Sequence, residues 1–421
     1  MQWEPIVPTT ATEPLTRMET DWKRWPRTQS TLGAWVQGFL ERDPWTRTLA
    51  ARMESETSTR LSDWIDHLVL PAEDSVLETL AAVGYTPWSD PDGGVDRVFR
   101  HGNGLFPAVL VRDQRGSGVL ELAIKVDSVA EFSRAHDLGL EPEGLPLGPL
   151  RRGRVGDLTV IERRGYLGFD PHSPAMARQG RNRGEAVAGA LAALDLWRGR
   201  KRAYPDDEAG FDATEALLER VIEFTGDRDL ACALIFQAER EYWQSRNQAA
   251  RAQKSRQDRL GLGWANHDHH TFRSSRQFFP RLMRIFTRMG FQLRERFHAG
   301  HHAGWGAQVL EHPTTGVVIF ADLDLAPEEA HTDFTSIALP ELPRPNTVGL
   351  WVALHGESVL QAGMHHLEAQ FLFDQLRDDL AREAGIETMK PFSDFSFLRQ
   401  AFTAGEVWRV APDRAVIAPG A

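Results

Sequence analysis

The feature that most constrains the fold of this chain is an order of predicted elements that occurs twice, about two hundred residues apart. In each copy a short apolar strand precedes a helix that ends at a glycine, and several strands broken by glycine and proline follow. Short motifs recur at corresponding points: Trp64-x-Asp66-His67 and Trp264-x-x-x-Asp268-His269, Val83-Gly84-Tyr85 and Met289-Gly290-Phe291, Gly118-Val119-Leu120 and Gly316-Val317-Val318. The sequence therefore predicts an internal duplication of a β-α-β-β-β unit.

The duplication divides the chain into four predicted regions. They are a Trp-rich helical N-terminal segment at 1–60, a first β-α-β-β-β unit at 61–173, a helical insertion at 174–260, and a second unit with a C-terminal helical tail at 261–421. Each unit is expected to end in one more apolar strand, at 158–162 and at 350–357. The prediction is a mixed α+β fold in which the two units form a central curved sheet.

Composition excludes several classes of protein. The formal net charge of −11 argues against a nucleic-acid-binding surface, and the single cysteine, Cys232, excludes a disulfide framework and a thiolate zinc cluster. The N-terminus has no basic start with an apolar stretch behind it, and no apolar run approaches the length of a membrane span. We therefore expect a cytoplasmic protein that binds neither nucleic acid nor membrane. The sequence does not determine its oligomeric state.

Histidine and carboxylate residues in the two units define a candidate metal site. Each unit begins with an Asp-His pair on a predicted strand. Because strand alternation sends the two side chains of a pair to opposite faces, His67 and His269 could both face a shared concavity. The predicted final strands add Glu162 and Glu357. Two imidazoles and one carboxylate suit Fe(II), and Zn²⁺, Mn²⁺ and Ni²⁺ accept the same donors.

Three of these candidates have a second interpretation. His67 on an apolar strand could be a hydrogen-bonded core residue. His267 lies on the same face of its strand as His269, so either could be the ligand, and we favour His269. Glu357 could instead cap a helix that begins near Ser358.

The other candidates are also open. Glu162 could complete a four-ligand site, but its neighbours Arg163 and Arg164 offer a plain salt bridge. His355 would share a face of the predicted strand with Glu357 and is a substitute ligand, and Glu121 is a weaker substitute.

Two further groups of histidines lie in the second half. His298, His301 and His302 are predicted in a hairpin loop, as a general base at the mouth of a site or as exposed loop residues. His365 and Glu368 are placed on a helix, where their spacing would allow metal binding, although the motif is weak.

Three motifs support a resemblance to a known family: His269-His270-Thr271-Phe272-Arg273, Gly356-Glu357-Ser358-Val359-Leu360-Gln361-Ala362-Gly363, and Phe392-Ser393-Asp394-Phe395-Ser396-Phe397-Leu398-Arg399-Gln400. With a duplicated β-α-β-β-β unit, the chain resembles the vicinal oxygen chelate superfamily. Within that superfamily, the helical insertion makes it most similar to the 2-oxoadipate dioxygenase/decarboxylase (hydroxyglutarate synthase) family. The resemblance covers about half of the chain.

The resemblance implies a ligand set and a substrate. By it, His67, His269 and Glu357 would bind Fe(II), and Arg273 would be a catalytic residue that binds a substrate carboxylate, with Arg399 as a second substrate contact. The family also has an arginine four residues after the first ligand histidine, where this chain has Pro71. We therefore expect 2-oxoadipate itself to be a poor substrate.

The candidate ligands thus favour a metal-dependent enzyme, and the resemblance implies a non-haem Fe(II) dioxygenase/decarboxylase that uses O₂ and a small-molecule 2-oxo acid or similar carboxylate. A Zn²⁺- or Ni²⁺-dependent isomerase or lyase of glyoxalase type is the alternative, and Glu162 as a fourth ligand would favour it. A third hypothesis is a non-catalytic small-molecule-binding protein on the same scaffold.

Overall fold

The computed structural model describes residues 25–90, 96–102, 104, 106–114, 116, 118–172, 182–298, 304–329, 331–364, 366–369 and 371–387. The side chains of His267 and His269 are not among the features it describes, nor are the residues His301, His302, His365 and Arg399. In the described part, two β-sheets are packed with helices, so the predicted α+β class is confirmed.

Two helices precede the first sheet, α1 (Pro26–Arg42) and α2 (Pro44–Thr57). Asp43 separates them, and its side chain accepts hydrogen bonds from the backbone N–H groups of Trp45 and Thr46, both at 3.0 Å. Pro44 occupies the first turn of α2, where no donor is needed. A cap and a proline at one point explain why the chain turns there.

The first sheet has seven strands in the order β2-β3-β4-β1-β5-β7-β6. Its helices are α3 (Asp74–Ala82) and α4 (Val129–Ala135). The strands are β1 (Ile65–Pro71), β2 (Tyr85–Trp88), β3 (Arg97–His101), β4 (Ala108–Arg112), β5 (Glu121–Lys125), β6 (Leu150–Val155) and β7 (Leu158–Arg163).

The second sheet has five strands in the order β12-β8-β11-β10-β9. Its strands are β8 (His267–Arg273), β9 (Gln292–His298), β10 (Trp305–Glu311), β11 (Val318–Asp324) and β12 (His366–Ala369). The helices of this half are α9 (Phe279–Met289), α10 (Thr347–His355) and α11 (Phe373–Ala384).

The two halves repeat one strand arrangement. In each, the first strand pairs in parallel with the fourth strand of its unit, β1 with β4 and β8 with β11, over five residue pairs. On its other edge the first strand pairs antiparallel with a later strand, β5 or β12. Both edges of each first strand are therefore occupied. Each first strand thus lies in the interior of its own sheet, and the described part forms two separate sheets instead of the predicted single central sheet.

Four helices connect the halves: α5 (Arg183–Arg198), α6 (Asp207–Thr225), α7 (Arg228–Arg246) and α8 (Gln248–Asp258). Their buried face packs on the core of the second sheet, which includes Phe236, Phe272 and Phe286. The first sheet has its own core with α1 to α4. Cys232 on α7 is fully buried, and burial raises the pKa of its thiol.

The insertion also forms hydrogen bonds to the backbone of an irregular segment, Gly356–Gly363. Four successive carbonyl groups, from Val359 to Ala362, accept hydrogen bonds from side chains of the insertion or its connecting loop. The donors are Arg200, Arg202, Tyr242 and Arg246. Since these carbonyls have little regular secondary structure to join, the insertion supplies their partners.

Two predicted elements differ from the structure. The predicted strand at 350–357 is largely helix α10, because Asp324 at the end of β11 accepts the backbone N–H groups of Asn346 (2.6 Å) and Val348 (3.0 Å) and so caps it from a distance. The segment with His366 and Glu368, predicted as helix, is strand β12, because it pairs with the open edge of β8.

Among the described residues, no helix is long and apolar enough to cross a membrane.

Candidate functional site

A buried polar group is built on β1, where Asp66 and His67 bond to each other. His67 Nδ1 lies 2.8 Å from Asp66 Oδ2, and both residues are buried. The expectation that the two side chains point to opposite faces is wrong. The pairing of β1 with β5 shifts register between Ile65 and His67, and such a bulge redirects side chains.

Arg163 on β7 completes this group. Its Nε and Nη2 atoms donate to the two carboxylate oxygens of Asp66 at 2.8 and 2.7 Å, and its Nη1 donates to the carbonyls of Tyr166 and Gly168. Burial opposes ionisation of Asp66, but Arg163 and His67 outweigh it and hold the pKa of Asp66 well below its usual range. Asp66 is therefore a carboxylate that accepts the Nδ1 proton of His67.

This arrangement leaves one nitrogen of His67 for another partner. Nε2 makes no hydrogen bond to any described residue, while the ring packs edge-on against Phe169 at a centroid distance of 5.0 Å. A carboxylate on Nδ1 selects the tautomer with a lone pair on Nε2 and fixes the ring plane. His67 is thus arranged as a metal ligand or a general base.

The Phe169 ring, which packs against His67, also contacts two arginine side chains. The guanidinium carbon of Arg163 lies 5.2 Å from its ring centroid, and that of Arg100, on β3, lies 5.8 Å from it. Arg100 also stacks over Trp88 at 4.5 Å. Lys125, at the end of β5, is close enough to interact electrostatically with Asp66, Arg163 and Arg100. We call Asp66, His67, Arg100, Lys125, Arg163 and Phe169 the His67 cluster.

The two carboxylates near this cluster are already engaged. Glu162 accepts hydrogen bonds from the backbone N–H of Val129 (2.7 Å), from Arg151 (3.1 Å) and from Arg164 (2.9 Å). Glu121 accepts from Thr159 at 2.7 Å and from Arg112 at 3.3 Å. The salt-bridge interpretation of Glu162 describes these contacts, with Arg151 and Arg164 as the partners while Arg163 binds Asp66.

Arg273, the predicted substrate contact, lies at the end of β8 beside Asp322 of β11. Its Nε is 3.8 Å from Asp322 Oδ2, and its guanidinium lies 5.1 Å from the ring centroid of Trp351. Burial raises the pKa of Asp322 to about 7, and Arg273 offsets only part of that effect. Burial also lowers the pKa of Arg273. Within the described part, the two side chains form no hydrogen bond to each other, and Arg273 Nε makes none at all.

Glu357 follows α10 and is also buried. Its Oε1 accepts the backbone N–H of Ser275 at 3.0 Å, whereas Oε2 makes no hydrogen bond of ordinary geometry within the described part. Burial raises its pKa to about 7, although the nearby groups of Ser274 and Ser275 counteract this. Glu357 stands immediately before the short helical segment Ser358–Ala362, the place where a cap was expected, but its side chain makes no cap bond there.

His355 does not share a strand face with Glu357, because it is the last residue of α10. Its ring packs against Trp351 at 5.1 Å, and burial lowers its pKa, with Arg246 and Arg273 acting in the same direction. The backbone thus separates His355 and Glu357 by the end of a helix, which removes the reason given for pairing them as ligands.

The ladder register relates His269 to His67. His67 is the first of the five β1 residues that pair with β4, and its partner is Ala108. His269 is likewise the first of the five β8 residues that pair with β11, and its partner is Val318. Glu368 of β12 is paired with His269. His267 precedes the parallel ladder. The backbone position equivalent to His67 is therefore that of His269.

The structure does not bring all three predicted ligands together. Glu357 bonds to Ser275, beyond the C-terminal end of β8, while His269 lies four residues before Arg273, a distance of about 13 Å along a strand. The contacts of His67 lie within the first sheet and the loop that follows it. Among the side chains that are described, no group of three or more His, Cys, Asp or Glu residues could hold a metal ion.

Sequence reasoning missed Arg100, Lys125 and Phe169. They lie on β3, on β5 and in the loop after β7, and only the pairing of non-consecutive strands brings these elements around β1. A usable signal was present in the first half: each cation closes or nearly closes an apolar strand, Val98-Phe99-Arg100 and Leu122-Ala123-Ile124-Lys125.

Comparisons with known proteins do not assign this chain to a family. No protein-family model and no curated protein matches the chain. Among solved structures, methylmalonyl-CoA epimerase from Mycobacterium tuberculosis matches with 15% identity and a TM-score of 0.19, covering 25% of this chain and 91% of the epimerase. A candidate dioxygenase from Bacillus subtilis subsp. subtilis str. 168 matches with 10% identity and a TM-score of 0.18, covering 67% of this chain and 68% of that protein. Similarities this low do not establish a family.

Proposed function

We propose that this chain is a metal-dependent enzyme acting on a small carboxylate, and that His67 is a metal ligand. One observation carries the proposal: Asp66, held by Arg163, takes Nδ1 of a buried histidine and leaves Nε2 without a hydrogen bond to any described residue. Histidine ligands in metalloproteins are commonly oriented by such a carboxylate. The imidazole nitrogen that His67 leaves without a hydrogen bond is a donor that divalent ions accept.

The finer proposal is a non-haem Fe(II) dioxygenase/decarboxylase for a 2-oxo acid, with His269 as the second ligand. Glu357, whose hydrogen bond lies beyond the C-terminal end of β8, is not assigned to this site, and the metal analysis below tests its role. The position of His269 in the ladder supports its role, because it is the position that His67 occupies in the first unit. The engagement of Glu162 by three donors disfavours the four-ligand isomerase that was the alternative.

The residues of the His67 cluster have distinct tasks in this proposal. Arg163 keeps Asp66 ionised, Asp66 holds the proton on Nδ1 of His67, and Phe169 packs against the imidazole in an edge-to-face arrangement. A bound divalent ion would supply a Lewis acid and a template for the substrate.

Metal analysis tests the proposal first. Protein purified without chelators is compared with His67→Ala, His269→Ala and Glu357→Gln, and metal content is measured by elemental analysis. We expect His67→Ala and His269→Ala to lose most of the metal, and Glu357→Gln to decide whether that carboxylate belongs to the site. His331→Ala, an exposed histidine, is the matched control and should keep wild-type content.

Oxygen uptake then tests the finer assignment. Iron-loaded protein is supplied with a panel of 2-oxo acids while dissolved O₂ is recorded. Substrate-dependent uptake that disappears in His67→Ala is the expected result. If His67→Ala retains wild-type metal content, the metal-dependent function in this form is wrong; metal binding without O₂ uptake would leave a metalloenzyme that is not an oxygenase.

A further inference from the structure

Arg100 and Lys125 are two cations of the His67 cluster that have no acidic partner close by. Among the described residues, neither has a carboxylate within 4.0 Å, whereas Arg163 has both oxygens of Asp66. Asp90 acts on Arg100 only through longer-range electrostatics. With Asp66 already neutralised by Arg163, the cluster carries an excess of positive charge beside His67.

Arg100 is held in place without using all of its donors. Its Nη2 donates to the carbonyl of Leu167 at 2.9 Å, and its guanidinium stacks on Trp88 at 4.5 Å. Its Nε is buried and makes no hydrogen bond within the described part. A stacked guanidinium with spare N–H groups is pre-organised to bind an oxyanion, because little side-chain freedom remains to be lost.

Lys125 lies where the space beside Arg100 and His67 meets solvent. Its side chain is exposed, although protein surrounds it closely enough that burial, together with Arg163 and Arg100, lowers its pKa. Ala123, two residues earlier on the same face of β5, pairs with His67. A ligand that enters beside Lys125 therefore arrives within the reach of His67.

We infer that Arg100 and Lys125 form the subsite for a carboxylate group of the substrate, beside His67. The walls favour an organic carboxylate over inorganic phosphate, since Trp88 and Phe169 flank Arg100 and offer apolar surface to a carbon chain. The inference rests on the proposed function. It assigns to Arg100 and Lys125 the binding of the substrate carboxylate, a role that the resemblance had implied for Arg273.

Binding of adipate to metal-free protein tests the subsite without the metal. Protein treated with a chelator is titrated with adipate by calorimetry, in the wild type and in Arg100→Gln and Lys125→Met. Each substitution should weaken binding by about tenfold or more, the effect of losing a charge-assisted hydrogen bond. Arg152→Gln, an arginine of β6 that pairs with Glu143 on the surface, is the control and should bind as the wild type does.

Several results would overturn the inference. Wild-type affinity in both Arg100→Gln and Lys125→Met would do so, as would the absence of adipate binding in the wild type. Displacement of adipate by equimolar inorganic phosphate would exclude a carboxylate subsite. Circular dichroism and the thermal midpoint confirm that each variant folds, and Arg100→Lys, which keeps the charge but loses the planar fork, should bind with intermediate affinity.

The two proposals fail in different ways. If His67→Ala keeps its metal while Arg100→Gln loses adipate, the metal-dependent function is wrong and the subsite stands. If His67→Ala loses its metal while Arg100→Gln binds adipate normally, the metal site stands and the subsite is wrong.

Discussion

At the scale of single residues, Asp66 organises the candidate site. It bonds to His67 and to two nitrogens of Arg163, and each of these contacts is 2.8 Å or shorter. A strand residue next to its own hydrogen-bond partner could not be anticipated from alternation. The local sequence showed an Asp-His pair, but the register shift that lets the two side chains meet depends on β5, more than fifty residues later.

Asp66→Asn tests the orienting role. Asparagine has nearly the same shape but cannot remain an anion, so it stabilises the required tautomer of His67 less well and leaves Arg163 without its charge partner. We expect metal affinity to fall by about 10- to 100-fold with the fold retained. Metal titration with a competing chelator measures the change. Asp157→Asn, an exposed aspartate in the turn between β6 and β7, should be neutral, and an unchanged affinity in Asp66→Asn would contradict the orienting role.

Gly363 shows why the sequence of the segment Gly356–Gly363 does not by itself predict the backbone shape of that segment. Its φ of +74° places it in the left-handed region, and an added Cβ would lie 2.7 Å from ring carbons of Tyr242. The sequence motif gave no sign of this ring, because Tyr242 belongs to the insertion.

Gly363→Ala should therefore destabilise the protein by more than backbone strain alone. Gly385→Ala is the matched control: its φ is +64°, but nothing lies within 4 Å of the added carbon. The left-handed conformation should cost the control about 1 kcal/mol, and Gly363→Ala should lose more because of the contact with Tyr242. Urea denaturation measures both variants; equal losses would show that the Tyr242 contact carries no energy.

At the scale of elements, strands and helices with a clear local period were predictable, and elements defined by distant partners were not. The apolar run at β7 is a strand as predicted. The equally apolar run from Thr347 to His355 is a helix because Asp324 caps it. The two runs have similar compositions, so the difference in their structure comes from the distant residues that each one contacts. Likewise, β12 is a strand because β8 has an edge for it.

Glu239 on α7 links the insertion to the Gly356–Gly363 segment through Arg200 and Arg202. Burial opposes its ionisation, but the two arginines and the Trp197 N–H lower its pKa to about 2. The folded pKa is thus below the unfolded value of about 4.3, so the carboxylate stabilises the fold above that pH and this stabilisation is lost as the pH falls toward 2.

Glu239→Gln should remove that part of the acid sensitivity. Relative to the wild type, we expect the variant to be clearly less stable at pH 7 and the difference to shrink between pH 4 and pH 2. Denaturation at a series of pH values measures it. Glu241→Gln, whose partner Arg198 is on the surface, should show a small effect at every pH, and parallel curves for Glu239→Gln and the wild type would refute the assignment.

At the scale of the whole molecule, one buried group joins three regions that are far apart in the chain. Asp379 of α11 accepts hydrogen bonds from Ser58 Oγ at the end of α2 (3.0 Å) and from Arg256 of α8 (2.5 Å). Leu372 at the start of α11 also donates its N–H to the carbonyl of Ser58. These contacts tie the N-terminal helices, the insertion and the C-terminal helix together.

Asp379→Ala should therefore destabilise the molecule by about 3 kcal/mol, because it leaves the buried Arg256 guanidinium without its closest anion. The thermal midpoint and limited proteolysis between α8 and β8 report the loss. Asp378→Ala, the exposed neighbour, is the control. A midpoint equal to that of the wild type would mean that α11 does not hold these regions together.

The buried position of Cys232 has a practical consequence for all of these experiments. It is the only cysteine in the chain, it has no exposed surface, and its raised pKa keeps the thiol protonated, so the native protein should react with thiol reagents only after unfolding. A cysteine introduced at an exposed position outside the His67 cluster would then be the sole target for an environment-sensitive fluorophore, and every residue of the cluster would keep its own side chain.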